Sequence, residues 1–349
     1  MSSATMYRAA VIGLGFVGAG DQVSGDALGQ RVNDLDGTHS GAYVDHPRVD
    51  LVAGASRDEG RRARFTQRES LTNTYADWRQ MLDTEALDIV SVAAYSPLHA
   101  EMTIHCAERG VRCVLCEKPI ATRLCDAERM IAACESAGTL LAIAHNRRWR
   151  PDVRAAKQAI CDGAIGRVCH AYAHWPTGRL GNLGTHVFDA IRLLLGTDPV
   201  AVSGRLDPVV PADCRGPNFH DPGGWGVIEF PDRVKVYVDA TSDAGVPLAI
   251  QVTGTAGRVS LGPRGALLEP WDAEGQVLHA ESPATSSLDR AVDEIVGCLD
   301  GKGAPSSTGR DGRQALEMIV GFHASDRRDG QRVTLPIRPD DRDLEVRSG

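Results

Sequence analysis

The sequence predicts an α/β protein with two domains: an N-terminal doubly wound parallel sheet of the Rossmann type and a C-terminal α+β domain with a large, mostly antiparallel sheet. In the first part of the chain, β-branched apolar runs alternate with helical segments, as in βαβ units. After Pro151, short strand-like runs follow one another with turn signals between them. A chain of 349 residues also exceeds the ~250 residues at which a single core stops growing.

The predicted boundaries place a dinucleotide-binding domain at residues 1–150, a substrate-binding and oligomerisation domain at 151–337 and a charged, mobile tail at 338–349. Residues 19–46 are rich in Gly, Asp and Ser, so we expect an insertion there and no continuous crossover helix. The expected strands of the first domain are 9–12, 49–55, 88–94, 111–116 and 140–144.

The second domain begins with a short helix and then becomes rich in strands. Its expected strands are 168–175, 200–206, 226–230, 233–240, 248–253 and 257–262. Helices are expected at 153–160, 185–195, 288–299 and 312–323. Because antiparallel strands can be joined by short turns, this order favours an antiparallel sheet.

Composition excludes several classes of function. A net charge of −8 disfavours nucleic acid as a partner, and no apolar run approaches the ~20 residues of a membrane span. Nine cysteines without framework spacing indicate reduced thiols and a cytoplasmic protein. Cys113 and Cys116 form a lone C-x-x-C with no second pair or nearby His, so we expect buried strand thiols and no metal.

A glycine motif follows the first predicted strand. Gly13, Gly15 and Gly18, with Phe16 and Val17 between the last two, allow a tight turn and a close approach of the backbone to a pyrophosphate. The motif alone is also compatible with a structural glycine turn. Its position between a strand and a helix predicts dinucleotide binding.

The end of the second strand bears on the choice of coenzyme. An acidic residue there would accept a hydrogen bond from a ribose 2′-hydroxyl, whereas this chain has Ser56 and Arg57, which can bind a 2′-phosphate. This favours NADP(H) over NAD(H). The alternative is that Arg57 is a solvated residue at the helix start and that Asp58 contacts the ribose of NAD(H).

Two further segments carry candidate chemistry. At a strand end, Glu117-Lys118-Pro119 presents a lysine that can stabilise an alkoxide, although a surface turn would explain the residues too. His186 and Asp189 share one helix face, so the histidine can be a proton carrier whose tautomer an acid fixes. The alternative for His186 is a packing role.

Taken together, these segments resemble the glucose-fructose oxidoreductase, inositol dehydrogenase and MocA-like (Gfo/Idh/MocA) family over nearly the whole chain. The resemblance rests on five ordered motifs: Gly13-x-Gly15-x-x-Gly18, Ala94-Tyr95-Ser96-Pro97-Leu98-His99, Glu117-Lys118-Pro119, His145-Asn146-Arg147-Arg148-Trp149-Arg150-Pro151 and Gly184-x-His186-x-x-Asp189.

The resemblance implies that Lys118 and His186 flank the substrate and that the open face of the antiparallel sheet supports homodimers or homotetramers. It further implies roles for other motif residues. Those expected at the cofactor are Gly13, Gly15, Phe16, Val17, Ser56, Arg57, Ala94, Tyr95, Pro97, His99, Glu117 and Lys118. Those expected at the substrate are Lys118, Asn146, Arg148, Trp149, Asn182 and His186.

The chain departs from the family pattern at three places. Asn182 stands where the family usually has an aspartate four residues before the motif histidine, Tyr95 replaces a small residue or threonine, and the insertion at 19–46 is long. An amide can hydrogen-bond a hydroxyl but cannot take its proton. Asn182 therefore alters the usual Lys/Asp/His relay, and the catalytic set is expected to be Lys118, His186 and Asn182.

We therefore predict reversible oxidation of a secondary carbinol of a polyol, sugar, sugar derivative or cyclitol. One alternative is a lyase or glycosidase that oxidises its substrate transiently with a tightly bound NAD(P). The other is a non-catalytic, NADP-binding regulator, against which the presence of both Lys118 and His186 argues. The sequence leaves open which substrate is used and in which direction the reaction runs.

Overall fold

The computed structural model describes residues 5–176, 178–208, 210, 213, 216–241, 247–263, 265–279 and 285–347. These residues form two compact units. Unit 1 takes in the described residues of Met1–Ala121, Asp126–Asn146 and Pro283–Arg310. Unit 2 takes in those of Thr122–Cys125, Arg147–Ser282 and Asp311–Gly349.

Unit 1 is built on a six-stranded parallel sheet. Its strands are β1 (Tyr7–Ile12), β2 (Val49–Ala55), β3 (Thr74–Tyr75), β4 (Ile89–Val92), β5 (Cys113–Cys116) and β6 (Leu140–Ile143), in the order β3-β2-β1-β4-β5-β6. β4 and β5 are buried at every position, as expected of strands covered on both faces. The predicted Rossmann sheet is confirmed.

Eight helices accompany this sheet within the described residues. They are α1 (Phe16–Ala19), α2 (Gln22–Asp26), α3 (His39–Val44), α4 (Glu59–Glu69), α5 (Trp78–Thr84), α6 (His99–Glu108), α7 (Leu124–Ala137) and, far along the chain, α10 (Ser287–Leu299). Asp side chains cap the amino ends of α2, α4 and α5, which explains why these helices begin where they do.

The first crossover is interrupted, as the glycine-rich composition predicts. α1 ends at Gly20, whose φ of 64° is left-handed, and α3 begins only after Thr38, whose side chain accepts a hydrogen bond from the Gly41 N–H. Between them lie α2 and one turn of 3₁₀ helix. The insertion thus places α3 against β1 and β2, where His39 and Tyr43 are fully buried.

The chain returns to unit 1 near its end, which differs from the predicted boundary at residue 150. α10 places Leu288, Val292 and Ile295 in the same apolar core as Tyr7 and Tyr43. The physical reason is that α10 has a strongly apolar face, and this face is buried against unit 1. Sequence separation gave no indication of that partner.

Unit 2 is built on a nine-stranded, mostly antiparallel sheet with the order β14-β13-β12-β11-β7-β10-β9-β8-β15, in which β7 and β10 are parallel. Its strands are β7 (Val168–His174), β8 (Ala201–Leu206), β9 (Gly224–Glu229), β10 (Lys235–Asp239), β11 (Ala249–Gly254), β12 (Gly257–Gly262), β13 (Gly265–Pro270), β14 (Gln276–His279) and β15 (Val333–Thr334). The last three strands were not predicted. The predicted fold class is confirmed.

The helices of unit 2 are α8 (Pro151–Cys161), α9 (Gly184–Leu195), α11 (Gly309–Asp326, which starts at the end of unit 1) and α12 (Pro339–Arg342). One sheet face is apolar and buried, with Ala171, Val236 and Val252 fully covered. On the other face, Tyr172, Trp225 and Tyr237 are exposed.

The end of the chain differs from the mobile tail expected at 338–349. Leu344 and Val346 are buried, and the Val346 N–H donates to the Thr122 carbonyl at 2.8 Å. Arg328 holds Asp341 of α12 at 2.7 Å. Apolar residues between the charged ones of this segment pack within unit 2. The predicted mobility was wrong because it rested on charge content alone. Residues 348–349 lie outside the described residues.

Among the described residues, no helix combines the length and apolar composition needed to cross a membrane.

Candidate active site

The turn after β1 brings the backbone of three strand ends close together. Gly13 has a φ of 103°, and a Cβ there would lie 2.2 Å from the Ala93 carbonyl oxygen. A Cβ on Gly18 would lie 1.9 Å from the Gly13 carbonyl oxygen. Only glycine fits at these two positions, whereas a Cβ on Gly15 would lie in ordinary contact with the Arg61 guanidinium, at 3.8 Å. This is the arrangement that admits a pyrophosphate at the turn.

The end of β2 is rich in cations. Asp58 caps α4, because its carboxylate accepts from the Arg61 N–H at 2.8 Å. Arg62 donates to the carbonyls of Ser56 and Arg57 at 2.6 and 3.0 Å, which fixes the turn. The Arg57 side chain is exposed. The carboxylate that could have contacted a ribose is therefore engaged in capping, and arginine side chains surround the turn.

Arg61 is a candidate that the sequence analysis missed. Its guanidinium lies beside the glycine turn, 3.8 Å from the position that a Cβ on Gly15 would occupy. Asp21 is 4.0 Å away and is held more closely by Arg64, at 2.6 Å. In sequence, Arg61 looks like any arginine near the start of a helix. The fold is what brings its side chain to the glycine turn.

His99 joins the ends of β4 and β5. Its Nδ1 lies 2.9 Å from the Pro119 carbonyl and its Nε2 lies 2.9 Å from the Ala94 carbonyl. Burial lowers the pKa of His99, although the two carbonyls and the nearby Glu117 oppose the shift. A neutral ring has one N–H and donates to only one of these two carbonyls, although it lies against both segments. Tyr95 beside it is about half exposed. A direct contact of His99 or Tyr95 with the cofactor stays a prediction.

Glu117 and Lys118 follow β5, and the Glu117 N–H donates to the Val92 carbonyl at 2.8 Å. One carboxylate oxygen of Glu117 lies 3.0 Å from His39 Nε2, and the other accepts from the Lys118 N–H at 3.2 Å. Burial by itself would raise the pKa of Glu117. The hydrogen bond with His39 and the positive charge of Lys118 outweigh burial and lower it. The carboxylate is thus held ionised and in one orientation.

In unit 2, Arg148 forms a buried ion pair. Its guanidinium contacts the Asp189 carboxylate at 2.7, 2.8 and 3.0 Å and Asp311 at 3.1 Å. Asp311 also pairs with Arg192. Burial lowers the pKa of Arg148, and the two carboxylates more than compensate and raise it. Asp189, expected to orient His186, is therefore the partner of a buried arginine.

The segment that leads into α9 is held by a carboxylate from a distant loop. Asp221 is buried and accepts from the N–H groups of Gly181 and Asn182 at 2.7 and 2.8 Å. Asn182 and His186 are half-buried, with His186 in the first turn of α9. Sequence reasoning missed Asp221, because a lone aspartate 40 residues away carries no signal in a single sequence.

The remaining substrate candidates belong to different units. Asn146, the last residue of that stretch of unit 1, donates to Asp36 at 3.4 Å. Trp149, in unit 2, is fully buried. Within unit 1, the structure brings the glycine turn, the segment 93–99 and Glu117-Lys118 to one end of the sheet. Metal-ligating clusters of three or more His, Cys, Asp or Glu are absent from the described part of the chain.

A doubly wound sheet whose first strand ends in this glycine turn is typical of a dinucleotide-binding domain. Residues 7–145 match the oxidoreductase family with an NAD-binding Rossmann fold, and residues 174–260 match the Gfo/Idh/MocA C-terminal domain. The chain belongs to the Gfo/Idh/MocA oxidoreductase family.

Individual relatives agree with this membership. D-apiose dehydrogenase of Paraburkholderia graminis is 27% identical, with 85% of this chain and 86% of the relative covered. D-xylose 1-dehydrogenase [NADP(+)] of Haloarcula marismortui is 26% identical over 70% of this chain and 74% of the relative. A levoglucosan dehydrogenase structure with NADH and levoglucosan has a TM-score of 0.78 at 20% identity, covering 95% of this chain and 100% of that one.

Arg148→Met separates a structural from a substrate-binding role for this arginine. The variant leaves Asp189 buried without its cation, which should lower the free energy of unfolding by about 3–5 kcal/mol. Arg192→Met is the matched control, because Arg192 is less buried and its partner Asp311 keeps Arg148. Chemical denaturation measures both. If Arg148→Met instead lowers the free energy of unfolding by less than ~1 kcal/mol and raises KM for substrate, Arg148 contacts the substrate.

Proposed function

We propose that this protein is an NAD(P)-dependent dehydrogenase that transfers a hydride between the nicotinamide and a secondary carbinol or ketone of a sugar, sugar derivative or cyclitol. The observation that carries the proposal is the fixed Glu117-Lys118 pair at the same end of the unit 1 sheet as the glycine turn. Relatives whose names specify apiose and xylose support the substrate class.

In this proposal the bound nicotinamide supplies the hydride chemistry, and the chain supplies orientation and proton movement. Lys118 donates to the substrate oxygen and stabilises its negative charge as the alkoxide develops. His186 takes the proton in oxidation and returns it in reduction. Asn182 donates to or accepts from a hydroxyl without exchanging its proton. The backbone contacts of Asp221 hold the segment that carries Asn182.

We further propose that NADP(H) is preferred to NAD(H). Three features of the β2 end support this: the exposed Arg57, the Arg61 guanidinium beside the glycine turn and the engagement of the Asp58 carboxylate in helix capping. A 2′-phosphate would meet two cations there. The Asp58 carboxylate, the acid nearest in sequence to the end of β2, has one oxygen engaged in capping α4.

We also propose a cytoplasmic homodimer or homotetramer. The exposed aromatic side chains Tyr172, Trp225 and Tyr237 on one sheet face support self-association, because aromatic residues are enriched in interface cores. Cysteines without framework spacing support a reducing compartment.

Lys118→Met tests the central role. We expect kcat to fall by roughly 10² or more while the dinucleotide Kd changes by only a few fold, since the ammonium acts on the substrate oxygen. Steady-state rates and dinucleotide binding measure this in a screen of polyols and keto-sugars. Wild-type turnover in the variant would refute the role of Lys118. Product formation without a net change in reduced-nicotinamide absorbance would favour the lyase or glycosidase.

Arg57→Ala and Arg61→Ala test the coenzyme preference. Each should raise KM for NADPH about tenfold with little change in kcat, because a 2′-phosphate is bound equally in the ground and transition states. The KM for NADH should not change. Arg68→Ala, an arginine on the same helix that pairs with Glu69, is the matched control. Preference of the wild type for NADH would refute the proposal.

Asn182→Asp tests the proton carrier. A carboxylate four residues before His186 favours the protonated imidazole and therefore raises its pKa. Oxidation needs the neutral ring, so the ascending limb of kcat/KM against pH should move to higher pH. Asn182→Ala should leave that limb in place. An unmoved limb in the aspartate variant would show that His186 is not the base, or that the two residues are uncoupled.

A further inference from the structure

The insertion in the first crossover ends in a buried polar chain that reaches the Glu117-Lys118 segment. His39, the first residue of α3, lies 3.0 Å from Glu117 through Nε2 and 2.7 Å from the Ser91 hydroxyl through Nδ1. The Tyr43 hydroxyl lies 2.7 Å from that of Ser91. All these residues except Glu117 are fully buried.

One assignment of protons satisfies every member of this chain. The Tyr43 O–H donates to Ser91, the Ser91 O–H donates to His39 Nδ1, and the His39 Nε2–H donates to the ionised Glu117. Glu117 then has its second oxygen available for the Lys118 N–H. The donors therefore run in one direction from the core to Glu117, and the backbone N–H of Lys118 donates to the same carboxylate from the other side.

We propose that His39 is a positioning residue for the reaction: it fixes the Glu117 carboxylate, which in turn holds the backbone N–H of Lys118 and sets the negative charge beside the lysine. The proposal rests on the catalytic role proposed for Lys118. It assigns the insertion a purpose, namely to place α3 so that a histidine from the first crossover reaches the end of β5.

A role in proton conduction is excluded by where the chain ends. Tyr43 and Ser91 have no exposed surface, and Tyr43 lies in the apolar core of unit 1. Burial also raises the pKa of Tyr43 well above its usual value. A proton that entered from Glu117 would reach no solvent. The chain can hold the carboxylate but cannot carry protons away from it.

The proposed role of His39 is also distinct from packing. Burying an imidazole costs free energy unless both nitrogens find partners, and an apolar side chain would fill the same space without that requirement. The titratable groups that face Glu117 among the described residues are His39 of α3, Cys116 and Lys118 of its own segment, and His99 of α6. Of these four, His39 supplies the side-chain hydrogen bond that lowers the pKa of Glu117.

The insertion is anchored so that α3 cannot shift freely. Asp36 accepts from the Ser287 N–H at 2.9 Å and from its hydroxyl, at the first turn of α10. Gly37, with a φ of 87°, lies so close to Ser286 that a Cβ would meet its hydroxyl oxygen at 2.3 Å. These contacts connect α10 through Asp36 to α3 and therefore fix the position of His39.

Three variants of the full-length enzyme with bound dinucleotide test the proposal. In His39→Asn, the shorter amide faces Ser91 but cannot reach Glu117, and kcat should fall by roughly 10–10² while the dinucleotide Kd stays within about threefold. In His39→Gln, the longer amide can donate to Glu117, and most of that loss should be recovered. Ser40→Ala, the neighbouring buried residue whose hydroxyl faces Glu69, is the matched control and should keep the wild-type kcat.

Wild-type kcat in His39→Asn would overturn the proposal, and so would an equal loss in His39→Gln. A Lys118→Met variant measured in parallel separates this inference from the proposed function. If Lys118→Met retains turnover, the role of Lys118 fails. If Lys118→Met is impaired while His39→Asn turns over normally, only the inference fails.

A measurement on the unaltered protein covers the case in which His39→Asn does not fold. Long-range ¹H–¹⁵N NMR distinguishes the ring tautomers of the 11 histidines, and His39→Gln identifies the His39 signal. We expect a proton on Nε2 of His39. A ring protonated only on Nδ1 could not donate to Glu117 and would overturn the proposal.

Discussion

The candidate site of unit 1 depends on one interaction: the hydrogen bonding and charge compensation of the Glu117 carboxylate at the end of β5. A buried negative charge is costly unless it is hydrogen-bonded and compensated, and both requirements are met by residues from separate parts of the chain. His39 comes from the inserted crossover, Lys118 is the next residue in the chain, and His99 lies between the carbonyls of Ala94 and Pro119. The Glu117 carboxylate is consequently held in one orientation, as the role proposed for Lys118 at a substrate oxygen requires.

Unit 2 meets an analogous requirement with different residues. Arg148 and Asp189 neutralise each other in its interior, and Asp221 satisfies two backbone N–H groups ahead of α9. In both units, charged side chains are used to fix the backbone beside the candidate catalytic residues. The candidates themselves, Lys118, Asn182 and His186, are only half-buried, whereas the supporting residues His39, Arg148 and Asp221 are buried.

Several candidate site residues could be proposed from the sequence because the patterns that mark them are local. The glycine turn, Glu117-Lys118-Pro119 and the segment from Asn182 to His186 each combine residue type and spacing within a few positions. Asp221, Arg61 and His39 could not be predicted in this way. Each acts on a segment more than 35 residues away in sequence, and nothing in its own neighbourhood distinguishes it from a surface residue.

The sequence by itself determined the two-sheet architecture and the interrupted first crossover, because strand periodicity and glycine-rich turns are encoded in short stretches. Its strand-end motifs supplied the candidate site residues, whose roles stay predictions. Only the tertiary structure decided that α10 completes the core of unit 1 and that the charged C-terminal segment packs on unit 2. It alone also showed that Asp189 pairs with Arg148 and that His39 holds Glu117. These outcomes depend on which buried charges and apolar faces meet, and the free energy of such contacts is fixed by three-dimensional proximity, which a local pattern does not contain.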